Sequence, residues 1–240
     1  MTKKNENCVW ITGASSGIGR STAMEFARVG CKVIASSRRI NGLEKLNSDL
    51  KKEKSKVEVM PCNVASSSNV VQVVKKITAA NQINCLINSA GISTFKYAED
   101  NSIQEIKDVI NTNLMGSIFT IKQILPHMIK NGGGTIINVL SVVTEKLFER
   151  SSIYTASKIG LLGYTKVLRE EVRKHNIRVI NILPGATETP MWPAEIRNKK
   201  SDEMMQPEDL AQLLVWIYLQ KRNIVPEEIT LLPIQGDIDE

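Results

Sequence analysis

Short, nearly unbroken apolar runs alternate with amphipathic stretches along the chain. The runs lie at 8–12, 32–37, 57–62, 85–88, 135–140, 178–183 and 229–232. A strand with one wet face alternates apolar and polar residues; a strand covered on both faces does not, so these runs predict a buried parallel sheet. Between them, apolar positions recur at helical spacing over 18–29, 43–54, 69–80, 103–129, 154–175 and 208–219. Gly30 reads as a helix stop and Pro207 as a helix start. Repeated βα units without linker, repeat or low-complexity tract predict an α/β fold. The expected form is a Rossmann-type doubly wound three-layer αβα sandwich with a parallel sheet of about seven strands. With 240 residues, the expectation is one domain over 1–240, in which 186–206 covers the substrate.

Composition narrows the classes. No run approaches the ~20 apolar residues that cross a membrane. The polar opening 1–7 has no basic region followed by an apolar core, so no secretory leader is expected, and the expected location is cytoplasmic. Cys8, Cys31, Cys62 and Cys85 sit at or beside predicted strands, in a spacing that fits neither a zinc site nor a disulfide framework. Buried free thiols suit a reducing compartment. The net charge of +6 favours an anionic partner. Yet the basic residues are mixed with acids, as in 51–56, which reads as a solvated helix end. The expected anion is a cofactor, with an acidic substrate as a further option; no nucleic-acid or membrane partner is expected. His127 and His175 fit no metal constellation, and no metal is expected.

Gly13, Gly17 and Gly19 follow the first strand and open the first helix. Glycines permit a tight turn and close backbone approach, and the helix N-terminus offers N–H groups to a pyrophosphate. Ser15, Ser16 and Ile18 belong to the same turn. After the second strand stand Ser36-Ser37-Arg38-Arg39, with no acid to bind a ribose 2′-hydroxyl. Arginine's planar fork suits a 2′-phosphate, so NADP(H) is the expected cofactor, with Arg38 the first choice, and Arg39, Ser15 and Ser37 as further donors.

Tyr154 and Lys158 lie four residues apart in a predicted helix and so share a face. A nearby ammonium favours phenolate and lowers a phenol's ordinary pKa of about 10. Tyr154 then serves as acid or base toward a carbonyl or alcohol, Ser141 polarises the same oxygen, and Lys158 also holds the nicotinamide ribose. The expected reaction is hydride transfer between NADPH and a small-molecule carbonyl or secondary alcohol.

Taken together, these motifs resemble the single-domain, NADP-preferring short-chain dehydrogenase/reductase family over nearly the whole length. Thr12–Gly19 matches Thr-Gly-x-x-x-Gly-x-Gly, and Asn88-Ser89-Ala90-Gly91 matches Asn-Asn-Ala-Gly with one exchange. Asn113, Ser141, Tyr154 and Lys158 match the catalytic tetrad. The resemblance implies that Asn113 holds a water linking Lys158 to solvent. It implies that Pro184, Gly185, Thr187 and Thr189 reach the nicotinamide, and that Asn88, Ala90 and Gly91 line the cofactor. It sets Asn63 where an aspartate usually meets the adenine, beside Val64. It also implies a homodimer or homotetramer packed through 103–129 and 154–175.

By family position, Ser93, Phe95, Val143, Phe148 and Ile153 are wall candidates for the substrate. Met191, Trp192, Met204 and Met205 supply large side chains in the covering segment. The runs at 189–192 and 204–209 and the tail 236–238 are similar to bacterial sepiapterin-reductase-like members. A 3-oxoacyl-(acyl-carrier-protein) reductase is the alternative, though the tail lacks that group's Val-Asp-Gly-Gly-like ending. Outside enzymes, an NADP-sensing regulator is the alternative, against which the intact tetrad argues.

Overall fold

A computed structural model describes residues 7–220 and 223–238. Seven strands, β1 (Cys8–Thr12), β2 (Lys32–Ser36), β3 (Glu58–Val59), β4 (Ile83–Asn88), β5 (Gly134–Val139), β6 (Ile177–Pro184) and β7 (Glu228–Leu231), form one sheet. Its order is β3-β2-β1-β4-β5-β6-β7, and every pairing is parallel. This is the Rossmann-type doubly wound arrangement the apolar runs predict. The chain leaves β1 in one direction and returns to start β4 on its other side. That reversal opens a crevice at the C-terminal strand ends.

The described residues form eight α-helices, most of them packed on the sheet: α1 (Gly17–Arg28), α2 (Ile40–Lys52), α3 (Ser67–Ala80), α4 (Ile103–Val109), α5 (Gly116–Lys130), α6 (Ser152–Val172), α7 (Ala194–Lys200) and α8 (Pro207–Leu219). One face packs Phe26, Leu43, Leu46 and Leu214 from α1, α2 and α8. The other packs Val70, Ile121, Ile124 and Leu168 from α3, α5 and α6. Trp10 is fully buried between strands, and its indole N–H donates to Ser36 Oγ at 2.9 Å, so the apolar ring is buried without an orphan donor. Gly30 ends α1 with φ +82, and Pro207 opens α8, as the sequence predicts. Among the described residues, no helix is long and apolar enough to cross a membrane. Residues 1–6 of the polar opening lie outside the described residues.

Three expectations need correction. The run at 57–62 yields a strand only at Glu58–Val59, because the chain departs from β2 at this sheet edge and keeps single bonds, Met60 N–H to Ala35 O and Cys62 N–H to Ser37 O. The stretch 103–129 is not one α-helix: a π-helical turn, Ile110–Met115, separates α4 from α5. Hydrophobic spacing does not register a one-residue widening, and Gly116 beyond it is needed because a Cβ there would lie 2.8 Å from Val64 Cγ2. Finally, α6 ends at Val172 and continues as a 3-10 turn over Arg173–His175, closed by left-handed Asn176 at φ +56.

Candidate active site

A cleft of about 490 Å³ opens at the C-terminal strand ends. At one end lies the glycine turn. Gly13 has φ +72, and a Cβ on it would stand 2.7 Å from Ala90 N and from the Ser89 backbone. A Cβ on Gly19 would stand 2.5 Å from Gly13 O. Thr12 Oγ1 accepts from Ser89 N–H (3.3 Å) and Ala90 N–H (3.4 Å), tying the turn to the loop after β4. Ser16 is the N-cap of α1 but makes no side-chain capping bond, so the first N–H groups of that helix face the cleft uncapped by a side chain. These features fit a pyrophosphate: a cradle with no room for side chains, at a positive helix end.

Beside the turn, Ser37 Oγ donates to Ser15 Oγ at 2.8 Å. Arg39 folds back over it, Nε reaching Ser15 Oγ at 3.3 Å and Nη2 reaching Ser16 Oγ at 2.6 Å. Arg38 also lines the cleft, is exposed, and has no hydrogen-bond partner among the described residues. The two guanidiniums therefore differ: Arg39 braces the loop, and Arg38 makes no such contact.

Ser141, Tyr154 and Lys158 meet in the middle of the cleft. Ser141 follows β5, and its hydroxyl stands near enough to the Tyr154 phenol to favour its ionised form. Burial pushes that phenol up to about 12, and the Ser141 hydroxyl opposes the rise. Lys158 is 4% exposed; its Nζ donates to Val139 O at 2.7 Å and lies 5.5 Å from the Tyr154 ring centroid. Burial pulls the amine down to about 8. The expectation of a phenol acidified by Lys158 is thus not met; desolvation of the phenol prevails, and the ammonium is itself held by a backbone carbonyl. Asn113 sits behind these groups in the π turn, 1% exposed. Its amide is fully engaged: Nδ2 donates to Ile92 O (2.9 Å) and Ser157 Oγ (3.0 Å), and Oδ1 accepts from Ile92 N–H (2.9 Å). Such a constellation can polarise a carbonyl oxygen and hand it a proton.

The other end is walled by side chains. Phe95 and Trp192 stack with centroids 5.4 Å apart and planes 17° apart. Ser93, Val143, Phe148 and Met191 line the cleft at this end as well. Segment 186–206 is pinned at its base: Thr187 bridges Met205, with Glu188 N–H to Met205 O at 2.9 Å and Met205 N–H to Ala186 O at 3.0 Å. The segment contains α7, which the sequence pattern does not suggest. Met204 turns into the core instead of the cleft.

The model of the short chain dehydrogenase family matches residues 7–200. This chain belongs to the short chain dehydrogenase family. It is 34% identical over 238 residues to a sepiapterin reductase from Chlorobaculum tepidum, covering 96% of this chain and 97% of the relative. A metagenomic short-chain oxidoreductase in complex with NADP superposes with TM-score 0.83 at 25% identity, covering 95% of this chain and 96% of that one. An alcohol dehydrogenase from Thermococcus sibiricus, complexed with 5-hydroxy-NADP, shares the fold: TM-score 0.87, 24% identity, 98% and 100% coverage.

In this chain the cleft gathers most of the residues singled out from the sequence. Gly13, Ser15, Ser16, Gly17, Ile18, Gly19, Ser37, Arg38, Arg39, Val64, Ala90, Gly91, Pro184, Gly185, Thr187 and Thr189 all line it. Four do not. Asn63 faces out, its Oδ1 accepting from Ala65 N–H at 3.2 Å, while Cys62 and Val64 on either side face in. In extended chain, successive side chains take opposite sides. Asn88 is buried in the sheet and donates to Asn138 Oδ1 at 3.0 Å. Asn113 and Ile153 also lie off the lining, although Thr112 is on it. Sequence reasoning passed over Glu149, Ser151, Asp237 and Ile238, which line the cleft as well. Contiguity with Phe148 points to the first two. The tail pair comes from beyond β7, where Asp237 ion-pairs with Lys146; the run 236–238 carries a family resemblance, but no local pattern places it at the cleft.

Proposed function

We propose that this protein is an NADP(H)-dependent oxidoreductase that transfers a hydride between NADPH and a carbonyl or secondary alcohol. The observation that carries this reading is the convergence of Ser141, Tyr154 and Lys158 in the same cleft as the glycine turn. The cavity-facing Arg38 beside Ser37 supports the 2′-phosphate, as do the NADP-bound relatives. When bound, the nicotinamide supplies the hydride. The N–H groups of α1 and the turn hold the pyrophosphate, and Lys158 holds the ribose. Ser141 donates to the carbonyl oxygen, and Tyr154 passes its proton to that oxygen. Asn113 braces the Ile92 loop and the Ser157 turn of α6, keeping Lys158 beside the phenol.

The pH dependence follows from these groups. Tyr154 stays protonated up to about 12, so the group that titrates near working pH is Lys158, at about 8. Carbonyl reduction needs the phenol protonated and the ammonium charged. Its kcat/KM should be level below pH 8 and fall above it, while alcohol oxidation rises over the same range. A reductive profile level to pH 10 would remove Lys158 from the role.

The substrate is a small carbonyl compound enclosed by the Phe95–Trp192 stack. The sepiapterin reductase relative favours a vicinal dicarbonyl or pterin side chain over a 3-oxoacyl thioester. NADPH oxidation against 3-oxoacyl thioesters, vicinal diketones, simple ketones and a side-chain-carbonyl pterin tests this. Turnover confined to diketones or the pterin supports it, turnover of the thioester alone replaces it, and tight NADPH binding without turnover favours a sensor.

The described sheet and its helices support one domain over 1–240 with 186–206 as its cover. A homodimer or homotetramer paired through α5 and α6 is supported by exposed Ile129, Ile159 and Val167 on those helices. Four buried free thiols support a cytoplasmic location.

A further inference from the structure

A directed chain of buried side-chain hydrogen bonds crosses the sheet below the active site. Thr120 Oγ1 on α5 donates to Asn88 Oδ1 on β4 at 2.8 Å. Asn88 Nδ2 donates to Asn138 Oδ1 on β5 at 3.0 Å, and Asn138 Nδ2 to Asn181 Oδ1 on β6 at 3.2 Å. Asn181 Nδ2 donates to Thr165 Oγ1 on α6 at 3.0 Å, and Thr165 in turn to Leu162 O. The three asparagines are register partners in adjacent strands, and all five residues are 3% exposed or less. Elsewhere this layer between sheet and helices is apolar, mostly Ile, Val and Leu, with Trp10, Met60, Met128 and two cysteines.

The two ends of the chain are the helices that carry the chemistry. On α5, Ser117 O stands at 2.9 Å as the second acceptor competing for the single Thr120 hydroxyl proton, and Ser117 Oγ donates to Asn113 O at 3.1 Å. Asn113 Nδ2 then reaches Ser157 Oγ, which donates to Tyr154 O at 2.6 Å, so the circuit closes on α6. In the middle, Asn138 stands next to Val139, whose carbonyl holds Lys158, and three residues before Ser141.

We infer that the Thr120–Asn88–Asn138–Asn181–Thr165 chain is a positioning device that fixes α5 and α6 against β5, and with them Asn113, Tyr154, Lys158 and Ser141. Apolar side chains repack with small shifts, whereas hydrogen bonds are short and directional and a fully satisfied buried network specifies one geometry. A π turn beside the site breaks the regular helical pattern, which makes an independent anchor for α5 useful there. The inference rests on the oxidoreductase reading for its effect on turnover, but not for its effect on Lys158.

Asn138→Leu is the obvious variant, but it strands Asn88 Nδ2 and Asn181 Oδ1 in the core and endangers the fold. Thr120 allows a cleaner pair. Thr120→Val removes the hydroxyl at nearly constant shape; Thr120→Ser keeps it and loses a methyl. Thr120→Val should lower kcat about 10- to 100-fold, with KM and NADPH affinity little changed, as expected of sub-ångström misplacement. Thr120→Ser should keep kcat near that of the unmodified protein even where its melting temperature falls. Lys158 13Cε titration in lysine-labelled protein, assigned with Lys158→Met, should shift in Thr120→Val and not in Thr120→Ser. An unmodified protein that reduces no carbonyl, with the Lys158 titration still moving this way, sinks the oxidoreductase reading and leaves the positioning role standing. Unshifted titration in both variants, unchanged kcat in Thr120→Val, or equal damage in Thr120→Ser overturns the inference.

Discussion

The two ends of the cleft are built by different means. At the glycine end, main chain meets main chain: a Cβ on Gly13 or Gly19 would stand 2.7 Å or 2.5 Å from backbone atoms. At the other end, side chains from four distant segments meet, with Phe95 on Trp192 and Asp237 on Lys146. Backbone-built geometry tolerates almost no sequence change. Side-chain-built walls tolerate a great deal, and specificity is free to reside there. The middle, where Tyr154 and Lys158 sit, belongs to neither: its groups are long side chains, but each is held by strand or helix.

The largest effect should come from that middle. Tyr154→Phe removes the proton donor and leaves the ring in place. Turnover should fall about a thousandfold while NADPH affinity, measured by fluorescence titration, stays nearly constant. Retained turnover would mean that the proton comes from elsewhere and that the cleft's centre has been misassigned.

A smaller effect should separate the arginines at the glycine end. Arg38→Ala should weaken NADPH about 10- to 100-fold and leave NADH nearly unchanged, the loss of a charge-assisted bond to phosphate. Arg39→Ala should weaken both cofactors together, because Arg39 braces Ser15 and Ser16. Equal losses for NADPH and NADH in Arg38→Ala would move the phosphate role to Arg39.

The same contrast governs what could be read from the chain beforehand. The sheet was legible because strands buried on both faces leave apolar runs that helices do not imitate, and the glycine turn because its steric demand admits one residue type. The proposed catalytic side chains were legible because the i, i+4 spacing of Tyr154 and Lys158 maps directly onto one helix face. Beyond that, period and spacing carry no signal. The π turn at Ile110–Met115 leaves the apolar pattern intact while rotating Asn113 into the protein. Asn63 and its neighbours differ by one residue in position, yet Cys62 and Val64 face the cleft and Asn63 does not. The tail reaches the wall only because β7 ends beside it in the folded sheet. Nor does spacing say whether a phenol is desolvated: Lys158 stands on the expected face, yet burial still holds Tyr154 up to about 12.

The smallest effect should lie at the side-chain-built end. Trp192→Ala removes one face of the aromatic stack without touching the glycine turn or the Ser141–Tyr154 pair. A stacked pair of this kind contributes about 0.5–1.5 kcal/mol beyond its buried area, so KM for the preferred carbonyl should rise about 3- to 10-fold. NADPH affinity should hold, since Trp192 stacks on Phe95 away from the arginines, and the kcat for small ketones should change least because they need little enclosure. If NADPH affinity fell with KM, the covering segment would be closing on the cofactor and not on the substrate. The base bonds of that segment, Thr187 to Met205 and Glu188 to Met205, make this outcome informative. They hold its two ends together, so a change at Trp192 propagates through the loop between them and not into the sheet. A loss confined to KM would therefore assign substrate choice to the loop and leave the rest of the cleft as an invariant frame for the chemistry.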